Sequence, residues 1–113
     1  MARIDSLIGK INKLAAKGKL DGLVKLSADP DEEVRATVAK AMGLIKTYDS
    51  GMALIPLLRD ISPFVRANAA TSAGDIGAKH CLEYVKKLAF ADSDPNVRIA
   101  AKEAFDKLKD RVI

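Results

Sequence analysis

Apolar residues recur along this chain at helical rather than alternating spacing. Ile4, Leu7, Ile8, Ile11, Leu14 and Ala15 share one face at about 100° per residue, which predicts an amphipathic first helix punctuated by the run AKGKLDG at 16–22. Three apolar stretches follow: GLVKLSAD at 22–29, ALIPLLRD at 53–60 and YVKKLAFAD at 84–92. Each leads into an alanine-rich stretch, ATVAKAMGLI at 36–45, ANAATSAGDI at 67–76 and IAAKEAFDKL at 99–108. In the first of these, Val34, Val38, Ala41, Met42 and Ile45 form a single stripe with helical spacing. Sustained period-two alternation is absent, so strands are not expected. The pattern predicts an all-α chain of helix pairs.

The pairs repeat. Leu23, Leu54 and Val85 stand 31 residues apart, as do Leu26, Leu57 and Leu88. Val34-Arg35, Val65-Arg66 and Val97-Arg98 recur at 31 and then 32, the third copy carrying one extra residue in the run ADSDP. Gly43 and Gly74 are again 31 apart, and Asp106 replaces the glycine in the last copy. A unit this small cannot bury its apolar face alone, so copies must stack into a solenoid. The turns DPDEEV (29–34), DISPFV (60–65) and DSDPNV (92–97) supply side-chain oxygens and prolines that start a helix. Their acids suit the positive end of the helix dipole. Pro56, inside the first helix of the second copy, predicts a kink. The expected organisation is one domain over 1–113: a capping helix at 1–18 and repeats at approximately 20–46, 51–77 and 81–109.

Composition sharpens this picture. With two Tyr, three Phe and no Trp, the core must come from Ala, Leu, Ile and Val, which favours thin, closely spaced layers. The net charge of +4 sits wholly in residues 1–19, which carry five basic residues and one acid; residues 20–113 carry fourteen of each sign. A basic groove along the repeat body, the footprint of nucleic-acid binding, is therefore not expected. A lone cysteine, Cys81, forms no intramolecular disulfide, and with no secretory leader or apolar run of about 20 residues, a cytoplasmic location is expected. The initiating Met and the amphipathic first segment argue that the solenoid starts here; the abrupt Asp-Arg-Val-Ile end leaves its continuation open.

The repeats LVKLSAD…VRATVAKAMGLI, LIPLLRD…VRANAATSAGDI and VKKLAFAD…VRIAAKEAF resemble the HEAT-repeat family, most closely the short variety first described in phycobilisome lyases. The resemblance implies a right-handed α-solenoid of three HEAT-like helix pairs with an N-terminal capping helix. First helices would form the convex outside and second helices the concave inside. It also implies that Arg35, Arg66 and Arg98 bond between neighbouring repeats, with Asp29 and Asp60 as natural partners. The third repeat departs from this, with Ala91 at the aligned position and Asp92 one residue later. The family includes scaffolds, lyase subunits, transport adaptors and nucleic-acid binders.

The ligand face implied by that resemblance is the exposed side of the second helices. By register this comprises Ala36, Thr37, Lys40, Ala41 and Leu44, then Ala67, Asn68, Thr71, Ser72 and Asp75, then Ile99, Ala100, Glu103 and Lys107. Such a smooth, lightly polar surface suits a helix or extended peptide. A second candidate is the basic stripe of Arg3, Lys10, Lys13 and Lys17 on the first helix, within roughly 80° of arc. It could meet phosphates, an acidic protein or an anionic surface. Catalytic chemistry is not expected. His80 is the only histidine, its neighbour Cys81 points elsewhere on a helix, and no group of residues supplies a metal's three or four ligands. The expected function is a non-catalytic adaptor, without cofactor, holding a protein or peptide on its concave face, as a monomer or weak homodimer. The alternatives are nucleic-acid or anionic-surface binding through the first helix, or a lyase-like subunit holding a tetrapyrrole.

Overall fold

A computed structural model describes residues 2–111. Seven α-helices follow one another: α1 (Ala2–Ala16), α2 (Leu20–Leu26), α3 (Glu32–Met42), α4 (Tyr48–Leu58), α5 (Pro63–Ile76), α6 (Leu82–Ala91) and α7 (Pro95–Lys109). A single 3-10 turn, Lys79–Cys81, precedes α6. No strand occurs among the described residues.

The turn residues start the second helices as their chemistry dictates. The Asp31 carboxylate accepts from the Glu33 N–H to start α3, and the Ser62 hydroxyl accepts from the Val65 N–H ahead of Pro63 in α5. Asp94 accepts from the N–H groups of Asn96 and Val97 ahead of Pro95 in α7. Each oxygen satisfies a donor that the first helical turn leaves orphaned. Gly77 ends α5 at φ 74°, a left-handed turn in which its N–H donates to Ala73 and Gly74. Pro56 lies in the last turn of α4, so the bond it removes is near the helix end and its exposed ring meets water.

The helices form two layers. One holds α3, α5 and α7 side by side, with α1 continuing the row at the N-terminal end. The other holds α2, α4 and α6. Neighbours in the first layer pack closely, whereas α4 and α6 barely touch. The closely spaced layer is therefore the inside of the curve, and the solenoid's concave face is the open side of α1, α3, α5 and α7. The residues that recur from repeat to repeat fill the space between layers: Leu23, Leu54 and Val85, and Val34, Val65 and Val97, are all 0% exposed.

Close spacing is set by glycine and serine. A Cβ on Gly74 would lie 3.0 Å from the Cα and Cβ of Ala104, and one on Gly43 would lie 2.7 Å from the Ser72 hydroxyl. The two glycines face the next repeat's second helix, so each layer contact needs a bare backbone. The position held by Asp106 faces outward from the last repeat, where no such contact among the described residues limits the side chain.

Candidate functional site

Stacking turns one stripe of each second helix toward the concave side. In α3 and the turn after it the stripe runs Glu33, Thr37, Lys40 and Leu44; in α5 it runs Phe64, Asn68, Thr71 and Asp75; in α7 it runs Asn96, Ala100, Glu103 and Lys107. Lys40, Leu44, Thr71, Asp75, Glu103 and Lys107 are exposed, Leu44 to 70%. Lys107 and Asp75 join across α7 and α5 at 3.0 Å, both half in solvent, so the pair trims the surface more than it stabilises the stack. Thr37 is half-buried and donates to the Glu33 carbonyl of its own helix.

Three positions differ from the expected ligand face. Ser72 is buried, and its hydroxyl donates to the carbonyls of Ala39 at 2.6 Å and Lys40 at 3.3 Å. It is a joint between α5 and α3, not a ligand contact. Asn68 is half-buried and spends its amide on the Ala36 carbonyl at 2.9 Å, leaving only an edge to solvent. Ala41 is buried on the side facing back along the stack. Conversely, Phe64 belongs to the stripe and is 68% exposed. It stands 31 after Glu33, a register signal hidden because the residue falls in the turn motif DISPFV. Ile99, 60% exposed, holds the α7 position aligned with Ala36 and Ala67. Leu44 and Phe64 thus give an otherwise small-residue surface two apolar side chains, at opposite ends of neighbouring helices.

The Val-Arg arginines form a ladder along another edge. Arg35 grips Asp60 and Arg66 grips Asp92, each through Nε and Nη2 to both carboxylate oxygens at 2.8–3.0 Å. The same guanidiniums donate Nη1 to the backbone of their own turn, Asp29 and Pro30 or Asp60 and Ile61. The carboxylate partner therefore comes from the following repeat, Asp60 for Arg35 and Asp92 for Arg66, while Asp29 meets Arg35 through its backbone carbonyl. The extra residue of the third repeat costs nothing, because Asp92 takes the place aligned with Ala91. Asp60 and Asp92 are partly buried, and burial alone would raise their pKa values. The arginine hydrogen bonds, with a backbone N–H from Ser62 or Asp94, reverse this and hold both carboxyls below the usual range.

Arg3 belongs to this ladder. It pairs with Asp29, 32 residues before Arg35 in the chain and one rung earlier in space. The Asp29 carboxyl is held low by the Asp31 N–H and then by Arg3. Arg3 thus leaves the basic stripe, and α1 takes the place of a second helix in the inner layer. In that register Lys10 and Lys13 match Met42 and Ile45, which in the next repeat are buried. Lys10, Lys13 and Lys17 are all exposed.

His80 and Cys81 are packing residues at the junction of the second and third repeats. The Tyr48 and His80 rings stack with centroids 4.3 Å apart, and His80 lies on the bare backbone of Gly51. The buried Cys81 thiol donates to the Gly51 carbonyl at 3.3 Å, and burial pushes its pKa up to about 11. That is the opposite of a nucleophile's environment. No cluster of metal-ligating residues occurs among the described residues, and none of the described helices is long and apolar enough to cross a membrane.

No curated protein matches the chain. A family profile for HEAT repeats matches residues 20–106, the three helix pairs without α1. HEAT repeats are commonly protein-interaction scaffolds. With paired helices, a two-layer stack and the match over most of its length, this chain belongs to the HEAT-repeat family.

Proposed function

We propose that this protein is a non-catalytic adaptor that holds a helical or extended segment of a partner protein on its concave face. The observation that carries this is the stripe on α3 and α5. Small or uncharged residues there let a partner backbone approach, while the exposed Leu44 and Phe64 offer apolar anchors. The charges within and beside it, Glu33, Lys40, Asp75, Glu103 and Lys107, are of both signs, so the partner need not be strongly charged. The same reading places the protein in the cytoplasm, where a single buried thiol stays reduced.

The test is selection from a displayed peptide library, with affinities of the recovered peptides then measured by fluorescence anisotropy. Wild type should be compared with a face variant (Leu44→Glu with Thr71→Arg) and a stripe variant (Lys10, Lys13 and Lys17→Glu). The reading requires peptides whose binding is lost in the face variant and kept in the stripe variant, with both variants folded by circular dichroism. Binding that survives the face variant overturns it. Binding that follows the stripe, and falls steeply with salt, would assign the function to α1 as an anionic-ligand surface.

A further inference from the structure

The last rung of the arginine ladder is half made. Arg98 donates Nη1 to the Asp92 carbonyl at 2.7 Å, as its counterparts do in their own turns. Its other edge, the one that in Arg35 and Arg66 holds a carboxylate through two bonds, meets no acid among the described residues. Arg98 is half-buried on the outward face of α7, tied to its own turn along one edge and without an acid among the described residues along the other.

The rest of that face does not suit another repeat stacked as before. Ala36 and Ala67 become Ile99, Ala39 and Ala70 become Lys102, and Gly43 and Gly74 become Asp106. These larger residues would block the close contact that Gly74 makes with Ala104. They suit a wider contact instead. Arg98, Ile99, Lys102, Phe105 and Asp106 are spaced 1, 3, 3 and 1 apart, the seam spacing of two helices packed side by side. The spacing is a palindrome about Lys102. An antiparallel copy of α7 would set each Arg98 against the partner copy's aspartate at position 106, and each Ile99 against its phenylalanine at 105. Lys102 would meet itself at the centre, but its ammonium is turned aside over the Phe90 ring, 5.8 Å from the centroid. Phe90, 61% exposed, stands edge-on to Phe105 and would flank the seam. Asp106 has one other partner, Lys109 at 3.5 Å with both about half exposed, a contact readily exchanged for a bidentate arginine.

We infer that α7 is a self-association surface, on which two copies of this chain pair antiparallel about Lys102 with reciprocal Arg98–Asp106 bonds. The surface lies at the end of the stack and leaves the concave stripe of α3 and α5 open, so this inference stands apart from the peptide-binding one. With the shorter dimensions of the molecule at 30 and 16 Å, the end face would bury on the order of 1,000 Å² over both copies, the size of a weak interface.

Sedimentation equilibrium of the full chain over roughly 10 µM to 1 mM covers the affinities such an area supports. Wild type should show a reversible dimer. Arg98→Glu and Asp106→Arg should each weaken it by about tenfold or more, because each sets like charges together twice. An equimolar mixture of the two variants should dimerise again, since every contact between unlike chains is then of opposite sign. Asp106 is exposed, so its variant should fold normally and keeps the test meaningful if Arg98→Glu proves unstable. A wild type that is monomeric throughout, a dimer indifferent to Asp106→Arg, or a mixture of two folded variants that stays monomeric would overturn the inference.

Discussion

The guanidinium of Arg35 meets the carboxylate of Asp60 through two parallel bonds, 2.9 Å from Nε and 3.0 Å from Nη2, across the boundary between two repeats. Both side chains are close to nine-tenths covered, at 13% and 11% exposure. The third donor of the same arginine closes its own turn on Asp29. One side chain therefore fixes both the shape of a turn and its distance from the next.

Removing Asp60 should uncouple the two repeats. Asp60→Ala leaves Arg35 with no carboxylate and frees the Ser62 N–H, which the Asp60 side chain also caps at 2.9 Å. A loss of about 2 kcal/mol in urea unfolding is expected, the range for hydrogen bonds to charged groups at a partly wet site. Arg3→Ala, which removes a much more exposed rung, should cost visibly less. Equal losses would show that burial does not set the strength of the ladder.

Acid should weaken the fold by the same route. Asp29, Asp60 and Asp92 all have folded pKa values below their ordinary 3.8. The unfolded chain therefore takes up protons first as pH falls. The stability these groups contribute is present above the ordinary carboxylate value, declines as pH drops through it, and is gone below the folded values. The urea midpoint should hold from neutral pH to about 5 and fall below about 4. Asp60→Asn should flatten that fall.

Leu57 tests the register of the second repeat. It is 3% exposed in the core, so Leu57→Ala should cost roughly 2–5 kcal/mol. A change within experimental error in thermal or urea unfolding would contradict its placement between the layers.

Gly74 tests the spacing of the inner layer. Its neighbour at 3.0 Å is the backbone of Ala104, which cannot swing aside. Gly74→Val should destabilise by about 1–3 kcal/mol through overpacking, although glycine is itself a poor helix residue. Calorimetry would decide, since a stabilised variant would mean that the helices can separate freely.

Cys81 should react only when the protein opens. A fully buried thiol raised to about 11 is neither reachable nor ionised near pH 8. A colorimetric disulfide reagent should label it slowly in buffer and at once in concentrated urea. Rapid labelling of the folded chain would place a mobile joint between the second and third repeats.

The fold was legible because stacking prints its period directly onto the core. Leu23, Leu54 and Val85 are spaced alike because each meets the same neighbour one repeat on. What escaped depends on contacts between repeats that no local pattern encodes. Which acid meets which arginine is one such contact: Asp29 lies six residues before Arg35, while Asp60, whose carboxylate Arg35 holds, lies 25 beyond and is near only once the chain is folded. Arg3 sits among lysines that share its charge, so its rung was hidden in a stripe. Ser72 is small and polar, a surface residue by type, and became a joint because a carbonyl of α3 ends beside it. The concave stripe of Thr37, Lys40 and Leu44 followed from register alone, whereas Phe64 lay behind a turn motif.

The ladder has a direction. Arg35 and Arg66 each reach forward to an acid, and Gly43 and Gly74 each receive the next helix of the layer. A further repeat therefore fits most simply between two existing ones. A duplicate of the 31 residues from Thr47 to Gly77, spliced in after Gly77, would bring its own aspartate for the arginine behind it and its own glycine for the helix ahead. Joined after α7, the same segment would meet Ile99, Lys102 and Asp106 in place of the alanines and glycine that α3 and α5 offer. Length in this protein is thus an internal variable, set by how many such units stand between α1 and α7.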